Sequence, residues 1–216
     1  RLRTLRITLS AALGIMLTLL IATTVLPHGF STIAKIQLMP ALLSLNIGIL
    51  AFWLVATSLL GRVYCSTVCP LGLFQDICAR IGKLLKKKPK RSYRHSAAHN
   101  RLRYAVLAAT IIAGIAGAAA VPSLLDPYSA FVRMVGAIVA PSAIGIAVGG
   151  ITFVTIGALA FNGGRTFCNT VCPVGATLSL ASRKPMMRIQ IDTSLCIGCR
   201  RCEAACKASC IDAKNH

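Results

Sequence analysis

A twelve-residue segment occurs twice, and it restricts the fold of this chain more than any other feature. Gly61-Arg-Val-Tyr-Cys-Ser-Thr-Val-Cys-Pro-Leu-Gly72 and Gly164-Arg-Thr-Phe-Cys-Asn-Thr-Val-Cys-Pro-Val-Gly175 stand 103 positions apart and agree at 8 of 12 positions. Two of the four differences are conservative, Tyr64 for Phe167 and Leu71 for Val174. Each copy closes an apolar run, Ala41 to Leu60 in the first case and Ile144 to Phe161 in the second. The chain therefore reads as a duplicated module in which two apolar crossings lead to a Cys-x3-Cys-Pro turn at one face.

Composition supports a membrane setting. Of the 216 residues 56% are hydrophobic and 13% charged, whereas soluble domains sit near half apolar and a quarter charged. About 20 residues at ~1.5 Å each span a hydrocarbon core of ~30 Å. Four runs approach that length: Leu5 to Leu26, Ala41 to Leu60, Tyr104 to Val121 and Ile144 to Phe161. The first also has the basic start of a secretory signal, but it exceeds the usual apolar core and no small-x-small site ends it. Asn46 in the second run is expected to hydrogen-bond between helices. After Cys69, the residues Leu73, Phe74, Ile77, Ile81, Leu84 and Leu85 recur at helical spacing, which predicts a helix lying in the membrane interface.

The predicted fold class is all-α and integral to the membrane. It is a four-transmembrane-helix bundle built from a duplicated two-helix module, with a C-terminal segment whose Cys196-x2-Cys199-x2-Cys202-x3-Cys206 spacing makes it ferredoxin-like and iron–sulfur binding. The bundle occupies 1–187, with repeats at about 5–85 and about 104–187, and the tail occupies 188–216.

Charge placement sets the expected orientation. The net charge is +19, and segments 1–6, 61–103 and 163–216 hold 22 of the 24 Lys and Arg residues. Only Lys35 and Arg133 fall in the opposite connections, 27–40 and 122–141. By the positive-inside rule both termini and all the cysteine groups face the cytoplasm, as expected for a multi-pass protein of a prokaryotic inner membrane. The basic 83–103 loop then serves membrane lipid, and no nucleic-acid partner is expected.

Ten cysteines in a long apolar chain do not read as a secreted disulfide scaffold. Cys196, Cys199, Cys202 and Cys206 have the C-x2-C-x2-C-x3-C spacing of bacterial ferredoxin loops, with Gly198 supplying a tight turn. Zinc sites more often use two separated cysteine pairs. Lys207 stands where proline is usual, and Cys210 is a further candidate ligand. A two-cluster ferredoxin needs a second such motif, which is expected beyond His216.

Each Cys-x3-Cys turn alone is compatible with a buried thiol pair, a redox dithiol or half a metal site. Together Cys65, Cys69, Cys168 and Cys172 supply the four thiolates that one 4Fe–4S or 2Fe–2S cluster requires. Pro70 and Pro173 are placed to open helices, and Arg62 and Arg165 add cations beside a negative cluster. Cys78 has no repeat counterpart, since position 181 is Ala181, and reads as an unligated thiol. Haem is not expected, because His28, His95, His99 and His216 all lie outside the crossings. His28, Lys35 and Asp126 are candidate groups for a quinol site on the opposite side, although solvated loop residues are the plainer reading.

These four runs, doubled turns and trailing motif resemble the NapH/NosR/CcoG-type membrane polyferredoxins over nearly the whole chain. The resemblance implies 4Fe–4S clusters, one held by Cys65, Cys69, Cys168 and Cys172 and one by Cys196, Cys199, Cys202 and Cys206. It also implies electron transfer between a membrane donor, a quinol or flavin partner, and a reductase system through partner electron-transfer subunits. Two alternatives stay open: a dithiol or copper-reducing protein that uses the paired turns, and a non-catalytic membrane anchor. An oligomer or larger complex is expected from the small residues of the third and fourth runs.

Overall fold

The computed structural model describes residues 8–16, 18–19, 46–62, 64–85, 100–118, 120–182, 186, 196–199, 201–206 and 211, and every regular element among them is helical. Residues 8–16 and 18–19 of the first predicted crossing are helical, and a side chain on Gly14 would run into Leu73. His28, Lys35, His95, His99, Cys210 and His216 lie outside the described residues, as does most of the basic 83–103 loop.

Helix α1 spans Ile47–Leu60. Asn46 starts it by accepting from the Ile49 N–H at 3.4 Å, while its own carbonyl accepts from Leu50 N–H at 3.2 Å. The expected hydrogen bond between helices is therefore corrected to an N-cap, the role a short amide side chain fills best at a helix start. Gly61 ends α1 with a φ of 76° and donates to the Thr57 carbonyl at 2.9 Å. That left-handed backbone is the reason for glycine there.

Beyond Gly61 the chain turns back on itself. The Tyr64 ring, in the short helix α2 (Tyr64–Thr67), meets Trp53 of α1 edge-on at 4.9 Å. Helix α3 (Pro70–Leu85) follows, opening on its proline as predicted. Helices α4 (Asn100–Ile115), α5 (Ala120–Leu125) and α6 (Pro127–Val139) come next. The predicted third crossing is thus interrupted after Ile115 by a turn with Gly117 at φ 78°. The expected outer connection 122–141 is largely helical, because Asp126 and Pro127 form a strong start signal for α6.

Helix α7 (Ala143–Gly163) repeats the pattern of α1. Ser142 caps it, Gly164 ends it at φ 73°, and the Gly164 N–H donates to the Ala160 carbonyl at 2.9 Å. Helices α8 (Thr166–Thr170) and α9 (Pro173–Ala181) match α2 and α3. The returning helices cross over between the repeats. Phe74 of α3 meets Phe153 of α7 at 5.1 Å, and Gly82 lies so close to Phe161 that a Cβ would stand 2.7 Å from its carbonyl oxygen. α3 therefore advances alongside α7, and α9 packs against α1, with Ser58 Oγ donating to the Ala181 carbonyl at 3.5 Å. Each repeat's returning helix is seated on the other repeat's long helix.

α3 turns its small residues inward and its large apolar residues outward. Gly72, Gln75, Ala79 and Gly82 face inward, while Ile77, Ile81, Leu84 and Leu85 are exposed. Small residues let α3 approach α7 closely, and the large apolar side chains point away from the protein. α7 behaves alike: Ile144, Ile146, Ile151, Phe153 and Val154 are exposed on a 21-residue helix of mean hydropathy 2.1. At ~1.5 Å per residue it is ~31 Å long, enough to cross a membrane. Among the described residues it alone meets that length, and α1 and α6 are shorter apolar helices.

Candidate metal centre

Cys65 and Cys168 lie in α2 and α8, and Cys69 and Cys172 immediately precede Pro70 and Pro173. The two turns share one backbone conformation. Cys69 N–H donates to the Tyr64 carbonyl at 3.1 Å, and Cys172 N–H donates to the Phe167 carbonyl at 3.0 Å. The final glycine of each motif has a steric cause. A Cβ on Gly72 would stand 2.3 Å from the Cys65 carbonyl oxygen, and one on Gly175 would stand 2.3 Å from that of Cys168.

All four sulfur-bearing residues are free cysteines and are 3–7% exposed. They lie close enough across the repeats to influence one another electrostatically, Cys65 by Cys168, and Cys172 by Cys168, Cys65 and Cys69. Burial, reinforced by the Cys168 thiol, pushes the Cys65 thiol up to about 12, against the pull of Arg62, Arg165 and Arg103. Burial likewise raises Cys69, Cys168 and Cys172.

The polar groups around the thiols come from both repeats. Arg165 grips Asp76 in a two-pronged pair, Nε to Oδ1 and a second guanidinium nitrogen to Oδ2, each at 3.0 Å. Arg62 donates to Asn169 Oδ1 at 2.9 Å, again across the repeats. Arg103, buried at the start of α4, donates to the Gly175 carbonyl. Gln75 Nε2 donates to Cys168 Sγ at 3.3 Å, and the Gly175 N–H donates to Cys172 Sγ at 3.3 Å. The Gly72 and Leu71 amides likewise favour a charged Cys69.

The predicted residues Arg62, Arg165 and the four turn cysteines are thus brought together. Gln75, Asp76 and Arg103 escaped the sequence analysis. Gln75 and Asp76 form a polar pair inside an otherwise apolar segment, a signal open to notice, whereas Arg103 is hidden at the end of a basic run. In the tail, Gly198 has a φ of 67°, as its turn requires. Cys199 is exposed, Cys196, Cys202 and Cys206 are half-buried, and a short helix α10 spans Arg201–Ala205. Cys78 is a half-buried free thiol. On the far side of the sequence repeat, Asp126 is buried rather than solvated. Its Oδ2 accepts from the Ser129 N–H at 2.8 Å and from Ser129 Oγ at 2.9 Å, and burial raises its pKa.

Comparison with known proteins agrees with this chemistry. A family model described as a 4Fe-4S binding domain matches residues 43–92 and again 144–191, so each match contains one Cys-x3-Cys-Pro turn. A second 4Fe-4S binding domain model matches 189–212, the tail motif. The chain is similar to two uncharacterized proteins of Methanocaldococcus jannaschii, MJ0749 and MJ0750. It is 28% identical to the first over 71% of this chain and 29% identical to the second over 70%. The matched regions span 54% and 61% of those proteins. No solved structure matches the chain significantly.

The donor set between the turns fits such a cluster. An oxidised 4Fe–4S core with four thiolates carries a net charge of about 2−. Three guanidinium groups against the single Asp76 carboxylate leave a matching positive excess. Among the described residues no three His, Cys, Asp or Glu side chains converge tightly enough for one metal ion. The chain is accordingly an iron–sulfur protein built with ferredoxin-type 4Fe–4S binding domains, and its cofactors are 4Fe–4S clusters.

Proposed function

We propose that this chain is a membrane-bound electron carrier that passes single electrons between a membrane donor, a quinol or a flavin partner, and a reductase system. The observation that carries the reading is the meeting of four buried cysteines from two turns, enclosed by Arg62, Arg103 and Arg165. In this account Cys65, Cys69, Cys168 and Cys172 hold one 4Fe–4S cluster, and Cys196, Cys199, Cys202 and Cys206 hold another. When bound, such clusters supply one-electron exchange over a wide range of potentials. The protein supplies the thiolates, keeps water from the turn site, and balances charge with guanidinium groups.

The setting is part of the proposal. Four crossings place the turns and the tail at the cytoplasmic face of a prokaryotic inner membrane, within the larger division 1–187 and 188–216. The exposed apolar faces of α3 and α7 and the clustering of basic residues at 61–103 and 163–216 support this placement. The resemblance to NapH/NosR/CcoG-type polyferredoxins points the same way, toward work within a complex of electron-transfer subunits.

The test is EPR of the anaerobically purified protein during a redox titration, followed by addition of a soluble quinol. The expected result is two reducible 4Fe–4S signals, each following a one-electron curve, with at least one reduced by quinol or by a reduced flavin. Clusters that stay oxidised down to about −700 mV, the lower limit of known cluster potentials, would instead mark a structural anchor.

A further inference from the structure

The turn site departs from its own repeat at one buried position. Gln75 of α3 and its equivalent in α9, Leu178, are both fully buried. Gln75 Nε2 donates to Cys168 Sγ at 3.3 Å, whereas a leucine offers Cys65 no such donor. The Gln75 amide is not held by a second bond, because its Oε1 is buried without a hydrogen-bond partner. An unsatisfied buried acceptor is destabilising, so folding alone gives no reason for an amide here. The opposite amide orientation would set the oxygen against a sulfur that also bears lone pairs, which fixes Nε2 as the group facing Cys168. The next residue, Asp76, anchors this stretch of α3 through its two-pronged pair with Arg165. The amide is therefore delivered to the sulfur by a rigid helix rather than by a loop.

We propose that Gln75 is a positioning residue that raises the reduction potential of the cluster held between the turns, by donating an N–H···S bond to Cys168 and making that half the better electron acceptor. The inference rests on the reading that the four turn cysteines share one cluster. Adding an electron increases negative charge on the ligand sulfurs, so a donor aimed at one of them favours the reduced form. The two halves of the duplicated site become unequal. Cys168 is bonded by Gln75 and lies near the Arg165–Asp76 pair, while the position equivalent to Gln75 in the other repeat is the aliphatic Leu178.

The experiment is an EPR-monitored titration with dithionite and mediators of the wild type, Gln75→Leu, and the exchanged variant Gln75→Leu with Leu178→Gln, each with its iron counted. Leucine is close in volume to glutamine and removes the orphaned oxygen too, so Gln75→Leu is expected to keep its iron. At a fixed potential its ratio of reduced to oxidised cluster is expected to fall about tenfold, a downward shift of ~59 mV for one electron. The exchanged variant is expected to recover most of that ratio, which a mere packing role would not do. An unchanged ratio in iron-replete Gln75→Leu overturns the inference alone. Iron content unchanged by Cys65→Ser overturns both the shared-cluster reading and the inference. Should Gln75→Leu lose its iron, pulsed EPR of the reduced wild type with 15N-side-chain-labelled glutamine decides: a coupling to the amide nitrogen supports the bond, and its absence overturns it.

Discussion

Gly175→Ala is expected to lose the cluster between the turns and to destabilise the protein by about 3 kcal/mol. The added methyl would sit 2.3 Å from the Cys168 carbonyl oxygen, an obstacle of backbone and not a flexible side-chain end. Relief requires α8 and α9 to separate, which moves Cys168 away from Cys172 and withdraws the Gly175 N–H from the Cys172 sulfur. Gly72→Ala should behave in the same way, because its Cβ meets the Cys65 carbonyl at the same distance. Gly150→Ala is the control: it is exposed in mid-α7 with open space around it, and should keep full iron. Iron content and thermal unfolding of the three variants in one detergent check this. Wild-type iron in Gly175→Ala would contradict the turn geometry.

Arg165→Ala is expected to cost about 3 kcal/mol, because it strips the two-pronged partner from a carboxylate that is only 17% exposed. Arg165→Lys should recover part of the loss, since an ammonium keeps the charge but not the fork. The double variant Arg165→Ala with Asp76→Ala should recover more, as it removes the buried charge together with its partner and leaves the local charge balance unchanged. Chemical denaturation of the three variants measures the coupling. Strict additivity of the two alanine substitutions would show that the pair does not join the repeats.

Much of the site was legible because its chemistry is local. The cysteine spacing, the prolines that open α3 and α9, and the glycines that end α1 and α7 act over a few residues and repeat together. What escaped was long-range or depended on the surroundings. Seating α3 on α7 and α9 on α1 is a matter of which repeat's helix lies closer, and no periodicity within either repeat encodes it. The stripe from Leu73 to Leu85 announced a helix with one apolar face, but not the face of small residues opposite it. In water the apolar face of a helix marks the core, but Gly72, Ala79 and Gly82 bring α3 to α7 while Ile77, Ile81 and Leu84 point outward. Asn46 was read as a hydrogen-bonding group between helices and Asp126 as a loop residue or quinol-site candidate, and both are caps, a role fixed by the helix that follows. Gln75 carried a signal only once Cys168, 93 positions away, was in place beside it.

The central claim is that the two turns hold one cluster between them, and counting iron and acid-labile sulfide per chain tests it most directly. The protein, purified without oxygen, should contain about eight irons, and Cys65→Ser and Cys168→Ser should each contain about four. The variant combining both substitutions should lose no more than either alone, because one cluster accounts for both losses. Iron unchanged in the single variants, or separate losses that add in the double, would contradict a shared cluster.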